Sequence, residues 1–242
     1  MTRLFNGIVA FGSALLLAVT LIGSGFAAVA IPDAATATLS RAFSGCDQPN
    51  TPFTADELSS MAIAGKHYTF DDNDREKLNA AIAEANDSAE ADGRASALSR
   101  GSAARTLPAD AISHLDDVYR VASVAKPALV IVSVICIAGL AHVAVRINRR
   151  ALGRTLMAGG GLVLAAFCAL GVWAAIDFDG LFAAFHSLFF QAGTWTFPYD
   201  SLLITLYPTA FWMGMGGIWL AVTCIASIIC IIVGRLLCSE SK

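Results

Sequence analysis

His186 and His114 stand where imidazole chemistry has company. The stretch from 185 to 212 holds Phe185, Phe189, Phe190, Trp195, Phe197, Tyr199, Tyr207, Phe211 and Trp212, with Asp200 its single carboxylate. His114 precedes Asp117 by three residues, which puts the two on one face of a helix. A neutral imidazole accepts a proton near neutral pH, and a carboxylate beside it fixes the tautomer and steadies the imidazolium. Asp117 is the local candidate for that role at His114, and Asp200 the candidate for His186 across a turn. Ser187 and Ser201 offer hydroxyls as nucleophiles or oxyanion donors. Ionisable groups in such apolar surroundings cost free energy unless they find partners. A plainer reading stands beside this one. Trp and Tyr gather where lipid headgroups meet acyl chains, so the stretch could be an aromatic anchor with incidental histidines. No GxSxG elbow, HExxH pair or phosphate loop is present.

The elements that must position these residues are read from hydropathy. The chain is 56% hydrophobic and 14% charged, with mean hydropathy +0.65. Four apolar runs, 5–31, 121–145, 155–176 and 208–237, each exceed the ~20 residues a helix needs to cross hydrocarbon. The expected fold is an all-α membrane protein of four transmembrane helices. The first run reads as a retained anchor, since a signal core has only ~7–15 apolar residues.

Charge sets the expected orientation. Arg3, Arg146, Arg149, Arg150, Arg154, Arg235 and Lys242 flank the ends assigned to the cytoplasm, whereas residues 32–120 hold fifteen Asp and Glu against eight Lys and Arg. The positive-inside rule then puts both termini and a basic loop, 146–154, in the cytoplasm. Residues 32–120 and the aromatic loop 177–207 fall outside the cell membrane, with the His114 and His186 face extracytoplasmic. No basic cluster faces a nucleic acid.

Within 32–120, residues 32–53 lack periodicity and read as an extended lead-out. Thr54 with Glu57, and Asn73 with Glu76, are capping-box patterns that open two short helices. Residues 86–107 are mostly Ala, Ser, Gly, Asp and Arg, and are expected to be poorly ordered. Pro108 starts a helix through 109–126 that continues into the second span, with a kink expected at Pro127. Phe178, Phe182, Phe185 and Phe189 mark one face of an interfacial helix over 179–191, ended by Gly193. The six cysteines make no disulfide framework: Cys136, Cys168, Cys224 and Cys230 lie in spans, Cys238 at the end of one, and Cys46 is alone outside. The glycines of the spans suit close helix packing.

Two motifs go further than composition. The first runs His186-x-x-Phe189-Phe190, Trp195-x-Phe197-Pro198-x-Asp200-Ser201-Leu202-Leu203-Ile204, and Leu206-Tyr207-Pro208-x-x-Phe211-Trp212. The second is His114-Leu115-Asp116-Asp117-Val118, just ahead of the second span. Together they resemble the lipoprotein intramolecular transacylases (Lit type), a bacterial family of four-span membrane proteins. The resemblance covers about the last 130 residues and is weak over 32–107. It implies transfer of the sn-2 acyl chain of a diacylglyceryl lipoprotein onto the amine of its own N-terminal cysteine. It implies His114 and His186 as the catalytic pair, membrane lipid and lipoprotein as partners, and no nucleotide, metal or other cofactor. To these we add Asp117, Asp200 and Ser201 for orientation and oxyanion support. Phe189, Phe190, Trp195, Phe197, Tyr207 and Trp212 are expected to shape a slot for the acyl chain. Other classes stay open from the residues: an envelope sensor using 32–120, a transporter, or a zinc site on His67, His114 and His186.

Overall fold

The structure is a computed structural model that describes residues 2–94 and 102–239. Helices and turns make up the described residues, with no strand among them. Four helices are long and apolar enough to cross a membrane by length and composition: α1 (Thr2–Ala30), α5 (Ala109–His142), α6 (Arg149–Ile176) and α9 (Thr209–Ser239). Between them lie α2 (Asp33–Phe43), α3 (Ala55–Phe70), α4 (Arg75–Ala91), α7 (Phe178–Phe189) and α8 (Leu202–Leu206). The chain divides into two compact units. One comprises Met1–Val29, Ala125–Leu181 and Gly217–Lys242; the other comprises Ala30–Val124 and Phe182–Gly216.

The first unit is built from apolar helix bodies. Val130, Ile131, Val134 and Ile137 on α5, and Ile225, Ile228, Ile229 and Ile232 on α9, point outward. Such faces are costly in water and at ease in lipid. Inward, Gly153 and Gly234 each lie against the other's carbonyl, where any added Cβ would collide. This is the close approach that small residues allow between membrane helices. Ala18, Val163 and Phe167 are buried beside Trp219, whose indole N–H donates to the Ile22 carbonyl at 3.0 Å.

α5 is helical on both sides of Pro127. One expectation changes here. The loop expected over 146–154 is nearly absent, because a π-helical turn, Val143–Ile147, follows α5 and α6 begins at Arg149. Asn148 stands between them, and its side chain accepts from the Ala151 N–H at 2.7 Å to cap α6.

The second unit has an apolar core around Leu58, Met61, Leu78, Ile82, Ile112, Leu115, Leu202 and Leu206. Residues 33–43, expected to be extended, form α2. Pro32 stands in extended backbone at the N-cap, Asp33 lies in the first turn, and Thr36, Leu39 and Ser40 share the buried face at helical spacing. The capping box of α3 is present: Thr54 Oγ1 accepts from the Glu57 N–H, and Glu57 accepts from the Thr54 N–H at 2.7 Å. Arg94 grips the same carboxylate with two N–H donors and, with the cap, holds its pKa down to about 2.

The next helix start shifts by one residue. Asp74 caps α4, while Asn73 takes φ +53 and donates through its side chain to the Tyr68 carbonyl. Much of the stretch expected to be poorly ordered is fixed. Residues 86–91 complete α4, and Arg105 is buried at 2% exposure with Asn86 at 2.7 Å and Glu90 at 3.1 Å. Residues 95–101 of that stretch lie outside the described residues.

A candidate active site on two buried histidines

α5 sets His114 from its own core contacts. Ala111, Ile112 and Leu115 are buried, and their helical spacing turns His114 inward with them, to 8% exposure. The next residue pair fixes the register. The Tyr68 hydroxyl donates to Asp116 at 2.5 Å, and Asn73 Nδ2 adds a longer bond at 3.4 Å. Burial and that adjacent carboxylate push the Tyr68 phenol up to about 12. Asp116 was not singled out from sequence, although it sits inside the His-x-x-Asp motif.

α7 brings the second ring. Its phenylalanines recur at three and four residues, and His186 is buried at 9% exposure on the same side as Phe182. The His186 Nδ1–H donates to the Phe182 carbonyl at 2.9 Å. That bond fixes the neutral tautomer, so Nε2 carries the lone pair. Burial holds the His186 imidazole below the usual histidine range, against the pull of that carbonyl.

The two imidazoles lie face to face. Their ring centroids are 6.1 Å apart and inclined by 28°. Aromatic side chains enclose them: Phe190 lies 5.0 Å from His114 and 5.7 Å from His186, Phe197 is 5.5 Å from His114, and Trp195 is 4.8 Å from His186. Two polar atoms in this pocket, His114 Nδ1 and Trp195 Nε1, are buried without a hydrogen-bond partner among the described residues. Most buried polar atoms in folded proteins are paired, so two orphans in one pocket mark a place shaped for a missing acceptor or donor.

A family model for the lipoprotein intramolecular transacylase Lit matches residues 91–212, a span that includes both histidines and the whole aromatic segment. The chain belongs to the Lit family. It is an enzyme family, named for the transacylation of lipoproteins. The fold is similar to that of the Lit protein of Bacillus cereus, at TM-score 0.74 and 18% identity, over 98% of this chain and 97% of that one. A histidine-to-arginine variant of the Bacillus cereus protein matches at TM-score 0.66, with 18% identity and coverage of 99% and 95%. A histidine-to-alanine variant matches at 0.68, with 17% identity and coverage of 99% and 96%. Comparison with curated protein sequences gives no significant match.

The remaining candidates in this Lit-family chain are placed unevenly. Asp117, expected to hold His114, forms an ion pair with Arg120 at 2.8 Å. Arg120 is one turn further along the same face and reaches the carboxylate first. Asp200 is exposed in the turn before α8. Ser201 is buried, and its hydroxyl caps α8 by accepting from the Ile204 N–H at 3.4 Å. Phe190, Trp195 and Phe197 line the histidine pocket. Phe189 stands at its edge, half exposed, its ring tilted against those of Phe185 and Phe190.

Tyr207 and Trp212 lie 5.9 Å apart, and Trp212 reaches Phe182 at 6.0 Å. The Tyr207 hydroxyl donates to the Ala62 carbonyl at 2.6 Å, and Gly65 makes room for it, since a Cβ there would strike the hydroxyl oxygen. His67 belongs elsewhere: its two ring nitrogens face Asp71 and Asp33. Among the described residues, no group of three or more His, Cys, Asp or Glu side chains is arranged to hold a metal ion.

Proposed function

We propose that this chain transfers the sn-2 acyl chain of a diacylglyceryl lipoprotein to the amine of the same lipoprotein's N-terminal cysteine. His114 and His186 move the protons. The observation that carries the reading is the buried imidazole pair, with an unpartnered nitrogen, inside the span matched by the Lit family model.

The chemistry follows from what the rings offer. An α-amine of pKa ~8 is largely ammonium at neutral pH and cannot attack until it loses a proton. Nε2 of His186 has the free lone pair, and burial keeps that ring neutral and ready to accept. The freed amine adds to the ester carbonyl, forming a C–N bond. The C–O bond then breaks, and the departing alkoxide takes a proton from the histidine pair. Starting from the ammonium, nitrogen gives up two protons, one before it attacks and one after it has added. One of them reaches the alkoxide and the other passes to solvent, so the pair ends as it began. Amine and ester belong to one molecule, and proximity does the work that a covalent enzyme intermediate would otherwise do. Asp117 and Asp200 stand without a direct part in this scheme, and Ser201 serves by holding α8. Both termini lie in the cytoplasm, and the pocket faces the outer leaflet, in line with the basic residues around α6 and the acidic second unit.

The test uses a synthetic diacylglyceryl lipopeptide with a free amino terminus, incubated with purified protein in detergent. Transfer is an isomerisation, so fragment ions must be read for N-acyl cysteine. The amide should form with the parent protein and be lost with His114→Ala and His186→Ala, each well expressed. Amide formation undiminished in both variants would overturn the assignment of the pair. Its absence with well-folded parent protein across several lipopeptides would overturn the activity and direct attention to the second unit as a binding module.

A further inference from the structure

We infer that the indole N–H of Trp195 is the hydrogen-bond donor that holds the carbonyl oxygen of the ester as the amine adds to it. The inference rests on the acyl-transfer reading above and gives that site its missing electrostatic part.

Addition of an amine to an ester drives the carbonyl π electrons onto oxygen. The C–N bond forms, the oxygen becomes an oxyanion, and the C–O bond breaks as the carbonyl re-forms. A donor placed at that oxygen strengthens its bond as the charge grows, and so favours the transition state over the bound ester. The histidines are occupied with protons and do not by themselves fill this place.

Several other donors in the aromatic segment are already committed. The hydroxyls of Ser187, Thr194, Thr205 and Tyr207 donate to backbone carbonyls of the segment or of α3, at 2.7, 2.9, 2.9 and 2.6 Å. Tyr199 donates to the Asp47 carbonyl at 3.1 Å. Ser201, the residue expected from sequence to support an oxyanion, is held at the cap of α8, where its oxygen accepts from the Ile204 N–H and its own O–H stays available. Trp195 differs from all of these. Its Nε1 is buried, yet it has no acceptor among the described residues.

An indole nitrogen can only donate, so nothing else can satisfy it. Leaving it unpaired is costly, and a bound carbonyl oxygen would recover that cost without breaking any other bond. The ring lies 4.8 Å from His186, whose free nitrogen is assigned the amine proton. His114 Nδ1, the second orphan, is in the same pocket. Base, donor and second histidine therefore lie in one aromatic cluster.

The experiment compares the parent with Trp195→Phe, and with a variant carrying β-(3-benzothienyl)alanine at 195, which keeps the two-ring shape and replaces N–H by sulfur. Rates of N-acyl cysteine formation are measured against lipopeptide concentration in detergent. Both variants should lose roughly 100- to 1,000-fold in kcat, the usual effect of removing an oxyanion donor, with KM nearly unchanged. A merely structural tryptophan would give a benzothienyl variant with parental kcat, and that result overturns the inference even if Trp195→Phe is misfolded. A rise in KM alone also overturns it. Parent protein that forms no amide would instead sink the acyl-transfer reading on which the inference stands.

Discussion

His67 and His186 belong to the same unit and differ in nearly every surrounding. His67 is half-buried, with a carboxylate facing each ring nitrogen: Asp71 on one side and Asp33 at 3.2 Å on the other. Asp33 also accepts from the buried Lys66 ammonium at 2.7 Å, and these contacts hold its carboxyl below the usual range. His186 is buried among four aromatic rings and bonds one backbone carbonyl. The first arrangement spends its hydrogen bonds on holding helices together. The second leaves a lone pair uncommitted, beside another imidazole and an unsatisfied indole. Satisfied polar clusters specify shape, whereas an unsatisfied buried one carries a cost that a ligand can relieve.

The widest break in this contrast is expected at the pair itself. Replacing either His114 or His186 by alanine should cost about 100- to 10,000-fold in transfer, the span typical of general acid–base groups. Melting temperature should hold, because neither ring is tied into a salt-bridge network. A satisfied group should behave in the opposite way. Arg105→Ala leaves Asn86 and Glu90 facing an empty buried space and should lower stability by about 3–5 kcal/mol, seen as a large fall in melting temperature in detergent. Retention of the parental melting temperature would show that this network is dispensable.

Acid sharpens the comparison further. Burial lowers the His186 pKa, so the folded ring stays neutral as pH falls past the ordinary value of about 6.5. The acid limb of kcat should therefore lie below pH 6.5. Stability follows the same sign. Above that value folded and unfolded chains are alike at this ring; below it the unfolded chain binds a proton that the folded chain refuses, and stability declines. His186→Phe should flatten the slope of melting temperature against pH between 7.5 and 5. The smallest effect is expected at the third histidine: His67→Gln should leave transfer within about twofold, and a larger loss would place the charged cluster in the reaction.

How far these features were legible follows from the range of the forces involved. The long helices announce themselves by apolar length, a property of the sequence alone. The Thr54 and Glu57 cap was equally plain, since both bonds close within three residues. His114 and His186 are 72 positions apart, and only the joint presence of two motifs suggested that they meet. Local pattern failed where a distant partner decides the outcome. The Ala- and Ser-rich stretch around Arg105 looks unable to order itself, yet the buried guanidinium finds Asn86 and Glu90 on α4. Helix α2 was missed because its buried face is Thr36, Leu39 and Ser40, too polar to register as an apolar stripe. For Asp117 and Ser201 the structure adds partners three residues on that the motif does not reveal, the Arg120 guanidinium and the Ile204 N–H.

The rings around the histidine pair have a further meaning for the proposed reaction. An activated ester has two competing fates, capture by an amine and capture by solvent. Phe190 touches both imidazoles and Phe197 backs His114, so the surface around the base is hydrocarbon and offers few places for a water to be held. The aromatic wall thus governs the partition between isomerisation and hydrolysis. A cell that must keep its lipoproteins anchored gains from that bias, because an acyl chain moved to nitrogen remains in the molecule, while one lost to water leaves as free fatty acid.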